Sequence, residues 1–229
     1  MVQIKKDKIS VVIRTRNEER WIGHVIQSVI DHLDKPEIII VDNNSTDQTL
    51  DIVKYFVQAP DLENEMKNKY TKIKIKSVKN YSPGKALNVG VKHASNKYIL
   101  IISAHCVLNK INVKKLIDQL KKFACVFGNQ IPVYNGKKIT KRYLWSNFTN
   151  VKVESMFSKL ENRYFLHNAL AFYNKTILKK YPFNENLTGK EDRYWAKKII
   201  KNKKKILYDP SLEVFHHYTK NGNTWKGIG

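Results

Sequence analysis

Residues 37–50 read EIIIVDNNSTDQTL, and the fold is decided here. Ile38 to Val41 is an unbroken apolar run, the pattern of a strand covered on both faces of a parallel sheet. Asp42 stands at its carboxyl end, where open α/β sheets bind ligands. Asn43-Asn44-Ser45-Thr46-Asp47 is turn chemistry leading into a helix. Ser45 is placed to cap that helix, with Gln48 three residues on as its capping-box partner. A carboxylate at a strand end, beside a polar turn and a helix N-terminus, suits a nucleotide base and ribose. The same residues equally suit a βα loop that does no more than cap its helix.

On the N-terminal side, Ile9–Ile13 reads as a first strand ending in Arg14-Thr15-Arg16-Asn17-Glu18-Glu19. Trp21, Ile22, Val25, Ile26, Val29, Ile30 and Leu33 then repeat at helical spacing. On the C-terminal side, Leu50, Val53 and Val57 mark a second helix face. Residues 58–70 are polar and loop-like. Ile73 and Ile75 alternate with lysines, as in a half-exposed strand. Ser82 can cap a third helix with Pro83 at its first position, and Ala86, Leu87, Gly90, Val91 and Ala94 face inward. Tyr98–Ile102 is another apolar strand, ending in Ser103-Ala104-His105-Cys106. The order β-α-β-α-β-α-β predicts an α/β fold with a mostly parallel sheet and right-handed crossovers. Three strand ends (Arg14–Asn17, Asp42–Asn44, Ser103–His105) then share one edge, with Lys85 nearby.

The composition sets outer bounds. The chain has 229 residues, 42% of them hydrophobic, enough for one substantial α/β domain. No apolar run approaches the roughly 20 residues of a membrane span. The N-terminus carries no signal-peptide cleavage pattern, and Cys106 and Cys125 form neither a CxxC nor a disulfide framework. Together these predict a reducing cytoplasm. The formal charge is +22, from 42 Lys+Arg against 20 Asp+Glu. Such a surplus favours nucleic acid, anionic lipid or phosphorylated ligands, or reflects solvated lysine-asparagine faces. An RNP-type aromatic sheet, zinc spacing and a helix-turn-helix are all missing, so no nucleic-acid partner is expected.

In the second half, Val113, Leu116, Ile117, Leu120 and Phe123 mark an amphipathic helix. Cys125–Gly128 reads as a short strand, and Asn168–Tyr173 as a buried one with Asn174 capping a helix after it. Trp145, Phe148 and Phe157 are core residues or stacking surfaces for a sugar or lipid. Glu191-Asp192 follows Gly189 at the start of a helix through Trp195 and Ile199. Leu212–Phe215 reads as a strand before His216-His217, of which alternation lets one reach a shared site with His105. The terminal NGNTWKGIG is either a flap or a frayed tail.

SVVIRTRNEE (10–19), IIIVDNNSTDQT (38–49), PGKALNVGVKHA (83–94) and YILIISAHC (98–106) together resemble, in order and spacing, the nucleotide-binding half of family 2 glycosyltransferases. The resemblance implies a GT-A fold over residues 1–229, with a nucleotide-binding half (1–107) and an acceptor-binding half (108–229). It implies inverting transfer from a nucleotide-sugar donor to a glycan or lipid-linked acceptor. Thr15, Arg16, Glu18, Asp42 and Asn44 would hold the nucleoside, with Asp42 accepting from a base N–H such as uracil N3. Lys85 would lie near the diphosphate, Ser103 and His105 would belong to the nucleotide-sugar site, and Asn88 matches a polar position of the Lys85 helix. Asp192 would be the general base, and Glu191 would orient Asp192 or the acceptor.

One departure stands out. The family's Asp-x-Asp, which binds a divalent cation, is replaced by Ser103-Ala104-His105, as in a Ser-Ala-His-Cys subgroup. A Mn²⁺ or Mg²⁺ cofactor therefore stays open. His105 binds a metal, hydrogen-bonds a phosphate or packs, and His217 is favoured slightly over His216 as its metal-binding partner. The charge fits a peripheral position at an anionic inner-membrane face. Two other readings are a nucleotidyltransferase and a GT-A domain that binds nucleotide without catalysis.

Overall fold

The computed structural model describes residues 8–58, 72–220 and 222–225. Its first half is β1 (Ile9–Thr15), α1 (Ile22–His32), β2 (Glu37–Asp42), α2 (Thr49–Gln58), β3 (Lys72–Ser77), α3 (Pro83–His93) and β4 (Tyr98–Ile102). Next come β5 (Cys106–Lys110), α4 (Val113–Leu120), β6 (Cys125–Tyr134), β7 (Lys137–Lys138), a 3-10 turn (Tyr143–Asn147), β8 (Val153–Glu154), β9 (Phe157–Ser158) and β10 (Arg163–Tyr164). The chain continues through β11 (Leu170–Asn174), α5 (Lys175–Lys180), α6 (Glu191–Lys201) and β12 (Ile206–His217).

The central sheet runs β3-β2-β1-β4-β11-β6-β12-β5. Strands β3, β2, β1 and β4 are parallel, while β11 runs antiparallel to both β4 and β6. The register pairs Thr15 with Asp42, so the two predicted ligand-binding ends lie side by side. The apolar runs are unbroken because alternate residues enter two cores. Val11, Ile13, Ile38 and Ile40 pack with α1 on one face, and Val12, Ile39 and Val41 with α3 on the other. Each fully buried aliphatic side chain contributes about 2 kcal/mol.

Ser82 caps α3 as expected, accepting from the Lys85 N–H, with Pro83 leading the helix. Asn174 caps α5 through the Thr176 N–H. Two glycines let α3 seat closely. A Cβ at Gly90 would come within 2.3 Å of Val12 Cγ1, and one at Gly84 within 2.2 Å of the Asn184 carbonyl oxygen. Asn88 completes the second contact. It donates to the Phe183 carbonyl (2.9 Å) and to Glu185 Oε1 (2.8 Å), and accepts from the Phe183 N–H (3.1 Å).

The structure corrects several sequence expectations. Ser45 does not cap α2. Its hydroxyl turns back to Asp42, and Asp47 Oδ1 takes the Thr49 N–H instead (3.0 Å). Val53 is buried on α2 but Val57 is exposed, because the helix rests on Ile52, Val53 and Phe56. Most of the expected 58–70 loop lies outside the described residues. The Cys125–Gly128 strand extends to Tyr134, and the Leu212–Phe215 strand spans Ile206–His217, where a register shift between Asp209 and Glu213 carries it on. Among the described residues, no helix is long and apolar enough to cross a membrane.

Candidate active site

The β1–α1 and β2–α2 loops are zipped together by reciprocal hydrogen bonds. The Asn17 N–H donates to Ser45 Oγ (3.0 Å), and Asn17 Oδ1 accepts from the Thr46 N–H (2.8 Å). The Glu18 N–H donates to Thr49 Oγ1 (2.7 Å), the Glu19 N–H to Asp47 Oδ2 (3.1 Å), and Glu19 Oε2 accepts from the Gln48 N–H (2.9 Å). Asn17 and Asn44 both take left-handed backbone angles, which asparagine tolerates better than most residues. The result is a cross-linked polar wall above the ends of β1 and β2.

Asp42 is buried in that wall. Its Oδ1 accepts from Ser45 Oγ at 2.6 Å and its Oδ2 from the Ser45 N–H at 3.0 Å. Each carboxylate oxygen keeps a second lone pair. Beside it, Thr15 Oγ1 is buried and has no hydrogen-bond partner among the described residues. Arg16 and Asn44 are exposed on the same loops. The half-buried Lys85 donates its ammonium to the Lys79 carbonyl (2.8 Å) at the start of α3.

The second half reaches this edge through α6. Lys190, with φ +63°, turns the chain into the helix, and Glu191 and Asp192 occupy its first turn, where the helix dipole favours negative charge. Arg14, from the end of β1, donates to the buried Glu191 carboxylate at 2.6 Å. Asp192 Oδ1 accepts from the Arg193 N–H (2.7 Å) and Oδ2 from the Asn168 N–H (3.4 Å). Enclosure, and then the neighbouring Glu191 charge, push the Asp192 carboxyl up to about 6, against the pull of Arg163 and Arg14. Arg163 and Arg193 share the two oxygens of Glu161 (2.7 and 2.9 Å) on the adjoining β9–β10 hairpin.

Histidines fill the centre. His105 Nδ1 lies 2.9 Å from Glu18 Oε1. Its ring centroid is 5.0 Å from that of His216. The Ala169 N–H donates to His167 Nδ1 (3.3 Å), so that nitrogen carries a lone pair. Gln130 must therefore turn its NH₂ toward His167 (2.9 Å) and its carbonyl toward His216 Nδ1 (2.8 Å), which donates. His216 Nε2 is left as a bare lone pair, buried and without a partner among the described residues.

The strand ends at Thr15, Asp42 and Ser103 and the start of α6 thus share one edge of the sheet. His216, not His217, is the histidine beside His105. Residue alternation along β12 turns the His217 ring outward, where it stacks on Trp21 at 4.0 Å. Asn88 serves as the clasp between α3 and the Phe183 loop. Trp145 and Phe148 are core, whereas Phe157 is half-exposed on its hairpin. Trp225 is buried against Trp145 (4.6 Å), so this part of the C-terminal stretch is neither flap nor tail. Gln130 and His167 are given no role in the sequence reading, and Arg14 and Asn168 enter it only as residues of strands or strand ends. His167-Asn168, just ahead of the apolar LAFY, was the one readable sign of a strand-end site.

A family model described as Glycosyl transferase family 2 matches residues 10–182. The chain is 27% identical over 222 residues to poly(ribitol-phosphate) beta-N-acetylglucosaminyltransferase TarS of Staphylococcus aureus (strain MW2), covering 93% of this chain and 36% of TarS. It is 24% identical over 223 residues to poly(ribitol-phosphate) beta-glucosyltransferase of Bacillus spizizenii, covering 94% of this chain and 33% of that one. It therefore spans about a third of the length of these curated relatives. The crystal structure of S. aureus TarS 1-349 in complex with UDP-GlcNAc superposes with a TM-score of 0.69 at 24% identity, over 97% of this chain and 62% of that one. The mannosyltransferase PcManGT of Pyrobaculum calidifontis, in complex with GDP-Man and Mn²⁺, gives 0.66 at 18% identity, over 94% and 58%. These likenesses establish the fold as GT-A.

Proposed function

The chain belongs to glycosyl transferase family 2, and on that basis we propose that it moves a sugar from a nucleotide-sugar donor to a hydroxyl of a glycan or lipid-linked acceptor, inverting the anomeric carbon. Residues 1–107 hold the donor and 108–229 the acceptor, within one GT-A domain. The base and ribose lie against Thr15, Arg16, Glu18, Asp42 and Asn44, with the spare lone pairs of Asp42 accepting a base N–H. Lys85, Ser103 and His105 face the diphosphate. Lys85 leaves the Lys79 carbonyl to do so.

Asp192 is the general base. An acceptor hydroxyl is a weak nucleophile until its proton is taken. Asp192 accepts that proton as the oxygen attacks the anomeric carbon from the face opposite the leaving group. The bond from that carbon to the diphosphate oxygen breaks, and the nucleoside diphosphate departs with the electron pair. Glu191 holds the helix start in place through Arg14. The observation that carries this reading is the Asp192 carboxyl itself. It stands in the first turn of α6, accepts from the Asn168 and Arg193 N–H groups, and is tied through Glu191 and Arg14 to the strand end that bears Thr15. Positioned bases of this kind contribute about 10²- to 10⁴-fold in rate.

UDP-GlcNAc, the ligand in the TarS complex, is the first donor to test, and a polyol phosphate polymer, after which two relatives are named, is the first acceptor. We place the enzyme in the cytoplasm, peripheral to an anionic membrane face; the formal charge of +22 supports the second part. The test is release of UDP, GDP or CMP from a panel of sugar nucleotides, with mass analysis of the glycosylated acceptor. Failure of every donor to turn over while one still raises the melting temperature would leave a nucleotide-binding domain instead.

A further inference from the structure

The Ser103–Cys106 turn lacks the paired carboxylates that suit Mg²⁺, which takes oxygen ligands in near-ideal octahedral geometry. Its donors are of another kind. One ring nitrogen of His105, one of His216 and the Cys106 Sγ all lie within 4.8 Å of one another. Cys106 and His216 are direct cross-strand partners on β5 and β12. Both imidazoles have Nδ1 engaged, His105 with Glu18 and His216 with Gln130. The lone pairs left for an ion are the two Nε2 atoms, and that of His216 is buried and unpartnered. Metal-ligating histidines almost always hand their other nitrogen to a carboxylate or carbonyl in this way.

We propose that His105, His216 and Cys106 bind a borderline transition cation of the Zn²⁺ or Co²⁺ type and discriminate against Mg²⁺. Two imidazoles and a thiolate match the donor preference of such ions. Tetrahedral bonds of about 2.0–2.3 Å set donors roughly 3.4–3.6 Å apart, so atoms now within 4.8 Å of one another need draw in by at most about 1.4 Å. On binding, the cation replaces the Cys106 thiol proton, which passes to solvent. Three protein ligands leave a fourth position, as in catalytic rather than structural sites. It opens past His105, the partly exposed member.

The test is Co²⁺ titration of the whole purified chain, read by absorbance and by bound metal per chain, and it does not depend on any transferase activity. The expected result is about one equivalent of Co²⁺, a thiolate-to-cobalt charge-transfer band, and no displacement by a large excess of Mg²⁺. Cys106→Ser should remove the band, while Cys125→Ser, at a buried thiol elsewhere in the sheet, should keep it. Glu18→Gln, which leaves all three ligands in place, should weaken binding about 10- to 100-fold. Circular dichroism separates loss of the site from loss of the fold. Binding below 0.2 equivalents in the folded wild-type chain, a band that survives Cys106→Ser, or ready displacement by Mg²⁺ would each overturn the proposal.

Discussion

Arg14 and Glu191 lie 177 residues apart in the chain and meet in an ion pair of 2.6 Å. Their contact joins the end of the first strand to the helix that carries Asp192. Removing Arg14 strands the buried Glu191 carboxylate, whereas Arg14 itself stays partly exposed. Arg14→Ala should cost about 3 kcal/mol in urea unfolding, in line with a broken buried pair, and Glu191→Gln should cost less, because it also removes the charge beside Asp192. The double variant should cost less than the sum, and strict additivity in the cycle would show that the pair is not coupled.

Asp192→Asn should abolish transfer while the donor still protects the chain against heat. In the wild type, kcat/KM should climb as pH rises through about 6, where the base loses its proton, and fall away below it. The stability effect has the opposite sign. A carboxyl whose folded pKa is raised favours the fold while protonated, and that contribution is lost as pH rises from about 4 through 6. Asp192→Asn should therefore melt no lower than wild type at pH 8. A lower melting point there would mean that the charged form supports the fold.

His105 and His217 should separate cleanly. His105→Ala should lower kcat/KM for the donor at least tenfold, because Glu18 holds that ring in the cleft. His217→Ala loses a stack on Trp21 and should leave donor turnover within about twofold. Equal losses in steady-state kinetics would mean that the two histidines act together.

Acid should unfold the chain partly through Glu37. Burial raises its pKa, but hydrogen bonds from Lys74, Ser10 and Ser95 outweigh burial and hold the carboxyl down at about 2. A depressed pKa contributes stability above the unfolded value that is lost as pH falls through the folded one. Stability should therefore drop between about pH 4 and pH 2, and Glu37→Gln should flatten that part of the curve in denaturant titrations at stepped pH.

Binding to vesicles rich in anionic lipid should weaken severalfold between about 0.05 and 0.5 M salt, as the Debye length shrinks. Cosedimentation that ignores both salt and lipid charge would rule out electrostatic attachment to a membrane.

The parallel half was legible because buried strands write themselves as apolar runs, and their ends fall together once the order is known. The later half was less so. β8, β9 and β10 are two residues each, too short for any period to show among the lysines and aromatics around them. β12 hides its length behind Pro210. Ser45 had the right chemistry for a helix cap, but Asp42 competed for its hydroxyl and won. The His216–His217 choice turned on which face of one strand points inward, and alternation alone fixes a face only after the register is known.

The bare Cα of Gly84 has a consequence for alignment. It lets the Asn184 carbonyl lie directly on α3, and the same loop leads within a few residues to Lys190 and Asp192. A methyl at this point would be a shim under the base. If Asp192 is the base proposed above, Gly84→Ala should lower kcat by more than it lowers the melting temperature, since a shift on the order of 1 Å in such groups costs about a hundredfold in rate. Position 84 is thus held to glycine by a backbone oxygen from a loop a hundred residues further along the chain, which makes one missing methyl a joint between the two halves of the domain.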